Sequence, residues 1–177
     1  FVEYLKKNLL DKKPGAVTDA ELKAWLDEPG IPAFAAKAQS RNFSNVDTAR
    51  IAWEGTGKLP TNQLTAEWST QEWVRFIDGL GEKQPLDKLT ALDRAFKFTG
   101  TPNGEIAMRW YPLAIRSGYA EATPAAAEFI ERVGRRKLIM PIYAELVKTP
   151  EGLEVAKAAF EKAKPGYHPI TTGSVQD

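Results

Sequence analysis

The sequence predicts an all-α protein in which about eight or nine antiparallel helices form a layered stack, like a short solenoid. Three observations lead to this fold class. Apolar residues recur at helical spacing along most of the 177 residues. No segment alternates apolar and polar residues over enough positions to form a convincing strand. The loops between the periodic segments are short, which places consecutive helices side by side and antiparallel.

Two helices are predicted near the start of the chain. An amphipathic helix covers residues 1–10 and ends before a Pro-Gly pair, since both residues break helices. Thr18 and Glu21 then form a capping box, in which each side chain bonds the other's backbone. The helix that they start runs to about Asp27. Its predicted buried side chains are Leu22, Trp25 and Leu26.

Three more helices are predicted in the middle of the chain. The first covers residues 45–54, the second starts at a capping box formed by Ser69 and Glu72, and the third covers residues 86–98. Glycines end the first two. The residues predicted to face inward are Val46, Ile51, Trp53, Trp73, Val74, Phe76, Ile77, Leu89, Leu92 and Phe96.

Four helices are predicted in the remainder. Asn103 caps the most regular of them, and Glu105 in its first turn suits the positive end of the helix dipole. Thr149 and Pro150 provide the last helix with a cap and a proline at its first position. The tail from Tyr167 onward is predicted to be irregular. The four helices run from Asn103 to Gly118, from Tyr119 to Val133, from the following basic segment to about Val147, and from Thr149 to about Lys164.

Tryptophan positions indicate where the core lies. Four of the five tryptophans, at positions 25, 53, 73 and 110, fall on faces predicted to be buried. We interpret them as core residues and not as a platform for stacking bases, because large aromatic side chains at helical spacing usually fill cores.

Composition excludes several classes of protein. With 24 basic and 23 acidic residues, the net charge of +1 argues against a dedicated nucleic-acid binder. No apolar run approaches the roughly 20 residues that cross a membrane. The absence of cysteine excludes disulfides and is compatible with both the cytoplasm and the periplasm.

The first residues predict that the chain is part of something longer. It begins with Phe1 and has no initiator methionine, and Phe1, Leu5 and Leu9 share one helical face. We expect the chain to start inside a helix, with any targeting segment upstream. Residues 1–177 are predicted to form a single helical domain.

The residues that common catalytic sites need are missing. His168 is the single histidine, so neither a His-Glu-x-x-His zinc site nor a usual zinc ligand set can be built. No nucleophile-elbow, phosphate-loop or dinucleotide motif occurs. Asp87 and Asp93 are interpreted as solvating carboxylates on an exposed face. No catalytic residue and no metal ligand is therefore assigned in this chain.

One short segment concentrates positive charge. Arg132, Arg135, Arg136 and Lys137 place four cations within six residues, where one helix ends and another begins. Like charges at the positive end of a helix dipole repel each other, and an anion or an acidic group from elsewhere would relieve the repulsion. The alternatives are a solvated basic corner and, less favoured at this net charge, a phosphate or nucleic-acid site.

Several segments together resemble a known family. They are Asn103-x-Glu105-Ile106, Arg109-Trp110, Gly134-Arg135-x-Lys137 with Pro141, His168-Pro169, and an earlier Trp25-Leu26-x-x-Pro29-Gly30-x-Pro32. In order and spacing they resemble the C-terminal helical domain of the leukotriene A-4 hydrolase and aminopeptidase B group, which are zinc aminopeptidases. The resemblance implies an α-α superhelix of the armadillo or HEAT type. It also implies that the catalytic domain belongs to the same polypeptide but lies outside this chain.

The resemblance implies a role for the basic segment. In the family, the Arg and Lys that match Arg135 and Lys137 bind the substrate carboxylate, which is the C-terminus of a short peptide or a fatty-acid carboxylate. Zinc is implied in the parent enzyme and not in this chain, which alone should be inactive. The family favours a cytoplasmic location. Arg136 and Leu138 depart from the family, which often has Met and Phe there.

Two hypotheses of different classes follow from the sequence. The first is the C-terminal domain of a zinc aminopeptidase, which walls the cleft and presents Arg135 and Lys137 to a substrate carboxylate. Peptide cleavage is the main expectation, and lipid epoxide hydrolysis is the least transferable feature of the family. The alternative is a stand-alone helical-repeat scaffold that binds a protein partner and has no catalytic role.

Overall fold

A computed structural model describes residues 1–37 and 41–176. In these two ranges it contains eleven α-helices and no strand, which confirms the all-α prediction. The chain divides into two compact units, residues 1–39 and residues 40–177. The prediction of one domain over the whole chain stays a prediction.

The first unit consists of two short helices that bury little. Helix α1 (Val2–Asn8) is followed by a 3-10 turn, and α2 (Asp19–Asp27) ends where the sequence predicted. The capping box is confirmed, because the Thr18 backbone N and Oγ1 each donate to Glu21 Oε2 at 2.8 Å.

The prediction of a buried face on α2 is wrong. Trp25 is 53% exposed and Leu26 is 47% exposed, while Leu22 is half-buried. Trp25 has an edge-on contact with Phe34, with 6.4 Å between ring centroids. None of the described residues 1–37 is buried, because a unit of two short helices has too little chain to enclose a core of its own.

The second unit contains the remaining helices and the core. They are α3 (Arg41–Thr56), α4 (Asn62–Thr65), α5 (Thr70–Asp78), α6 (Leu86–Phe96), α7 (Gly104–Arg116), α8 (Thr123–Arg132), α9 (Arg136–Leu146), α10 (Pro150–Ala163) and α11 (Pro169–Gln176). Sequence analysis missed α4, a single turn, and α11. The expected irregular tail is wrong, because His168 caps α11: its Nδ1 accepts from Ile170 N at 3.2 Å.

Alternate helices pack against each other in layers. Contacts between α3 and α5, α5 and α7, α7 and α9, and α9 and α11 form one layer, and α8 packs on α10 in the other. In the first layer the amino ends of neighbouring helices touch, since Asn103 Nδ2 at the start of α7 donates to Thr70 Oγ1 at the start of α5 at 2.8 Å. We call the surface formed by the amino ends of α5, α7 and α9 the N-terminal edge.

The core lies between the layers and includes most of the predicted residues. Trp110 is fully buried, and its Nε1 donates to Thr99 Oγ1 at 2.9 Å. Trp53 is also buried and Trp73 is half-buried against the core. Ile51 is 60% exposed, which contradicts its predicted inward orientation.

Asp93 is a structural residue and not a solvating one. Its Oδ1 accepts from Thr99 N at 2.7 Å and its Oδ2 accepts from the Tyr119 hydroxyl at 3.1 Å. Burial, together with the nearby Glu121 and Asp93 carboxylates, raises the pKa of Tyr119 to about 12. Asp93 therefore fixes the loop after α6 and the segment after α7.

Gly152, in the first turn of α10, has no room for a side chain. An added Cβ atom would overlap the Leu146 carbonyl oxygen and lie 2.9 Å from Thr149 Oγ1. Since the first atom is backbone, relief requires a shift of α10 against the end of α9. We expect Gly152→Ala to lower the free energy of unfolding by about 1–3 kcal/mol, measured by denaturant titration.

The matched control for this change is Gly173→Ala in α11. A Cβ atom at Gly173 would have no neighbour within 4 Å. Alanine there should raise stability by up to about 1 kcal/mol, because glycine is the weaker helix former. The overlap at Gly152 would be disproved if the two variants shifted the unfolding midpoint in the same direction.

Candidate functional site

The basic segment lies at the start of α9, on the N-terminal edge. Arg135 occupies the position just before the helix, with φ −77° and ψ 109°, and Arg136 and Lys137 are the first two helical residues. No side chain among the described residues caps this end. Three cations therefore surround a helix end that is itself electropositive.

The C-terminal helix holds the loop that carries Arg135. Thr171 Oγ1 in α11 donates to the Gly134 carbonyl oxygen at 3.3 Å. A Cβ atom on Gly134 would lie 3.3 Å from Tyr167 Cδ1, so the loop and the tail are in close contact. The buried Tyr167 hydroxyl donates in turn to the Ile130 carbonyl oxygen in α8.

Lys137 has an acidic partner that sequence reasoning did not find. Its Nζ lies 2.7 Å from Glu105 Oε1, in the first turn of α7. Glu105 Oε2 also accepts from Arg109 Nη1 at 3.3 Å, and Arg109 Nε lies 3.5 Å from Asp78 Oδ1. The bond from Lys137 and the charges of Arg109 and Arg135 lower the pKa of Glu105, against the opposing effect of partial burial.

Arg135 differs from Lys137 in having no such partner. Its side chain is exposed, and within residues 1–37 and 41–176 it makes no hydrogen bond and no ion pair within 4.0 Å. The four clustered cations are therefore not equivalent. An incoming anion would find the Arg135 guanidinium free and the Lys137 ammonium partly engaged.

The two departures from the family pattern have defined positions. Arg136 Nε donates to Ser174 Oγ in α11 at 2.8 Å, so its guanidinium is engaged by the tail. Leu138 packs over the start of α7, where a Cβ atom on Gly104 would lie 2.8 Å from Leu138 Cδ1. The Arg136 side chain is thus bonded to α11, whereas Arg135 has no such bond among the described residues. The Leu138 side chain packs the start of α9 against the start of α7.

Comparison with known families now identifies the chain. Residues 68–177 match the family described as leukotriene A4 hydrolase, C-terminal. The chain belongs to this family. The match includes α5 through α11 and the whole N-terminal edge.

Relatives of this leukotriene A4 hydrolase C-terminal domain are longer proteins. Leucine aminopeptidase 2 of Neurospora crassa is 28% identical over 127 residues, which cover 70% of this chain and 19% of the relative. Leukotriene A-4 hydrolase of Xenopus laevis is 23% identical over 172 residues, or 94% of this chain and 27% of the relative. The chain thus spans less than a third of the curated relatives it matches.

A solved structure confirms the fold. Native yeast LTA4 hydrolase matches with a TM-score of 0.74 at 22% identity, over 99% of this chain and 32% of that one. The same enzyme in complex with bestatin matches with a TM-score of 0.68. The helical superhelix predicted from the sequence is therefore the architecture of this leukotriene A4 hydrolase C-terminal domain.

The described residues bring together no group of three or more His, Asp or Glu side chains that could hold an ion. His168 is used as the α11 cap. In the same ranges, no helix has the length and apolar character required to span a bilayer.

A groove lies at the opposite ends of the same helices. It has a volume of about 720 Å³ and is lined by the ends of α7 and α9 and the start of α10. Glu145 in its wall is 8% exposed and accepts from Arg116 Nη1 at 3.1 Å and from Lys148 Nζ at 2.8 Å. No sequence motif indicated this pairing. Neither Arg135 nor Lys137 lines the groove, so it is separate from the candidate site.

Proposed function

We propose that the chain is the C-terminal domain of a zinc-dependent aminopeptidase, in which Arg135 and Lys137 bind the terminal carboxylate of a short peptide substrate. One observation carries the proposal. Arg135 is exposed at the electropositive start of α9, without an ion-pair partner among the described residues, two residues from Lys137. A substrate carboxylate would supply the ion-pair partner that Arg135 lacks at this electropositive helix end.

The two side chains would contribute differently. A guanidinium can hold both oxygens of a carboxylate through parallel N–H donors, which favours Arg135 as the main contact. The Lys137 ammonium has three donors, and the bond to Glu105 uses one of them. Lys137 would therefore add charge and one further hydrogen bond, at a position that Glu105 helps to fix.

Chemistry would occur in another part of the polypeptide. The relatives are named aminopeptidases or hydrolases and are at least three times as long as the matched segment. In the full-length enzyme, a zinc ion in the catalytic domain would activate water for attack on the first peptide bond. Anchoring the far end of a short peptide at Arg135 would set the distance from its carboxylate to the bond that is cleaved. This chain by itself is expected to be inactive.

The proposal is tested by removing the substrate's negative charge. We expect the full-length enzyme to cleave a tripeptide with a free C-terminus at least about 10-fold more efficiently, in kcat/KM, than the same tripeptide amidated. The amide keeps the size and shape of the substrate and loses the charge-assisted bonds. Equal values for the two peptides would show that the N-terminal edge does not bind the carboxylate.

A further inference from the structure

The acid that engages Lys137 is rigidly placed. Glu105 is the second residue of α7, and its backbone N donates to Asn103 Oδ1 at 3.0 Å. Its carboxylate is held from one side by Arg109 and from the other by Lys137, at 3.3 and 2.7 Å. The positive end of the α7 dipole also favours a carboxylate here. A substrate would therefore meet a fixed negative charge beside its binding cations.

The other charges at this edge do not cancel that of Glu105 for a ligand. Arg109 is shared with Asp78 at 3.5 Å, and Arg136 is bonded to Ser174. Arg132 is exposed one turn back, at the end of α8. Among the described residues, Arg132 and Arg135 are thus the cations of this segment without an ion-pair partner, and Glu105 lies against Lys137. The charges at the N-terminal edge therefore favour a ligand with one carboxylate over a ligand with two.

We propose that Glu105 is a specificity-determining residue, which makes the Arg135 site select peptides with a single carboxylate at their C-terminal residue and disfavour those ending in Asp or Glu. The inference rests on the proposed function. A second carboxylate, on the side chain of the last residue, would lie within a few ångströms of the first. It would face the Glu105 carboxylate well inside the screening length of about 8 Å at physiological salt.

Because Lys137 is paired with Glu105, we expect replacing Glu105 and replacing Lys137 to have opposite effects on the preference for a single carboxylate. Replacing Glu105 by glutamine removes the repelling charge and releases Lys137 to a second carboxylate. Replacing Lys137 by glutamine leaves Glu105 with Arg109 as its remaining partner, so the repulsion of a second carboxylate grows. If Glu105 served only to stabilise the fold, both variants would lower the activity on all peptides alike.

The test compares kcat/KM for two tripeptides of nearly equal shape, one ending in Gln and one ending in Glu, with the full-length enzyme. We expect the wild type to favour the Gln peptide. Glu105→Gln should reduce that preference about 3- to 10-fold, and Lys137→Gln should increase it. Glu105→Asp, which keeps the charge, should retain the wild-type preference and guards against a folding artefact.

A matched control and two outcomes complete the experiment. Glu154→Gln removes one negative charge from an exposed pair with Lys157 on α10 and should leave the preference unchanged. No wild-type preference, or the same preference in Glu105→Gln, would overturn the role of Glu105 even when amidation still impairs cleavage. If amidation has no effect either, the proposed carboxylate site itself is overturned.

Discussion

The Arg135→Ala variant of the full-length enzyme should cleave tripeptides with a free C-terminus with kcat/KM about 30- to 900-fold below wild type, equivalent to about 2–4 kcal/mol. The physical reason is the loss of an exposed guanidinium that forms no ion pair with any described residue. Steady-state kinetics on a free and an amidated tripeptide measure the effect. The amidated peptide should show little change, because it never formed the charge-assisted bonds.

The adjacent arginine provides the control for this prediction. Arg136→Ala removes the same charge one residue away, but Arg136 is bonded to Ser174 and is not assigned to substrate. Its kcat/KM should stay close to wild type. The assignment would be wrong if the two alanine variants were equally impaired, since a diffuse basic surface and not a specific contact would then explain both.

Replacing Trp110 by alanine should lower the free energy of unfolding by about 3–5 kcal/mol. Trp110 is 0% exposed and lies between Phe98 and Tyr119, with ring centroids 5.1 and 6.2 Å away. The change leaves a large cavity and removes the donor to Thr99 Oγ1. Denaturant unfolding followed by circular dichroism measures the effect.

Trp25→Ala is the corresponding control in the first unit. Trp25 is 53% exposed, and its ring has an edge-on contact with Phe34. Its replacement should cost less than about 1 kcal/mol. Similar losses for both tryptophans would contradict the burial described for them.

Helix starts could be predicted because their signals are local. The Thr18 and Glu21 side chains, the Asn103 cap and the Thr149-Pro150 pair act within a few residues of themselves, and each begins a helix in the structure. The fold class follows from these starts and from helical periodicity. It did not require knowledge of distant contacts.

Burial was harder to predict because it depends on what covers a helix. Trp25 and Ile51 are apolar at helical spacing, yet both are exposed. Periodicity identifies an apolar face but not whether another layer covers it. Helix α11 was missed for a related reason. Its cap is His168, which is not among the preferred capping residues.

The sequence predicted that the cations of the candidate site lie together, but it did not predict which acidic side chain pairs with them. The charges of Arg135 and Lys137 are adjacent in sequence, so a local reading finds them. Glu105 lies 32 residues from Lys137, and only the packing of α7 on α9 brings the two together at 2.7 Å. The prediction that both residues bind a carboxylate remains a prediction.

The helical geometry of α9 fixes the direction of its exposed cations relative to its buried face. Arg135 and Lys137 lie at the start of the helix whose Ile139 and Ile142 are fully buried. Each residue turns an α-helix by about 100°, so a single insertion between Lys137 and Ile139 would rotate the cations away from the N-terminal edge while the core stayed in place. The number of residues between Lys137 and Ile139 therefore fixes the direction of the cations relative to the buried face of the helix.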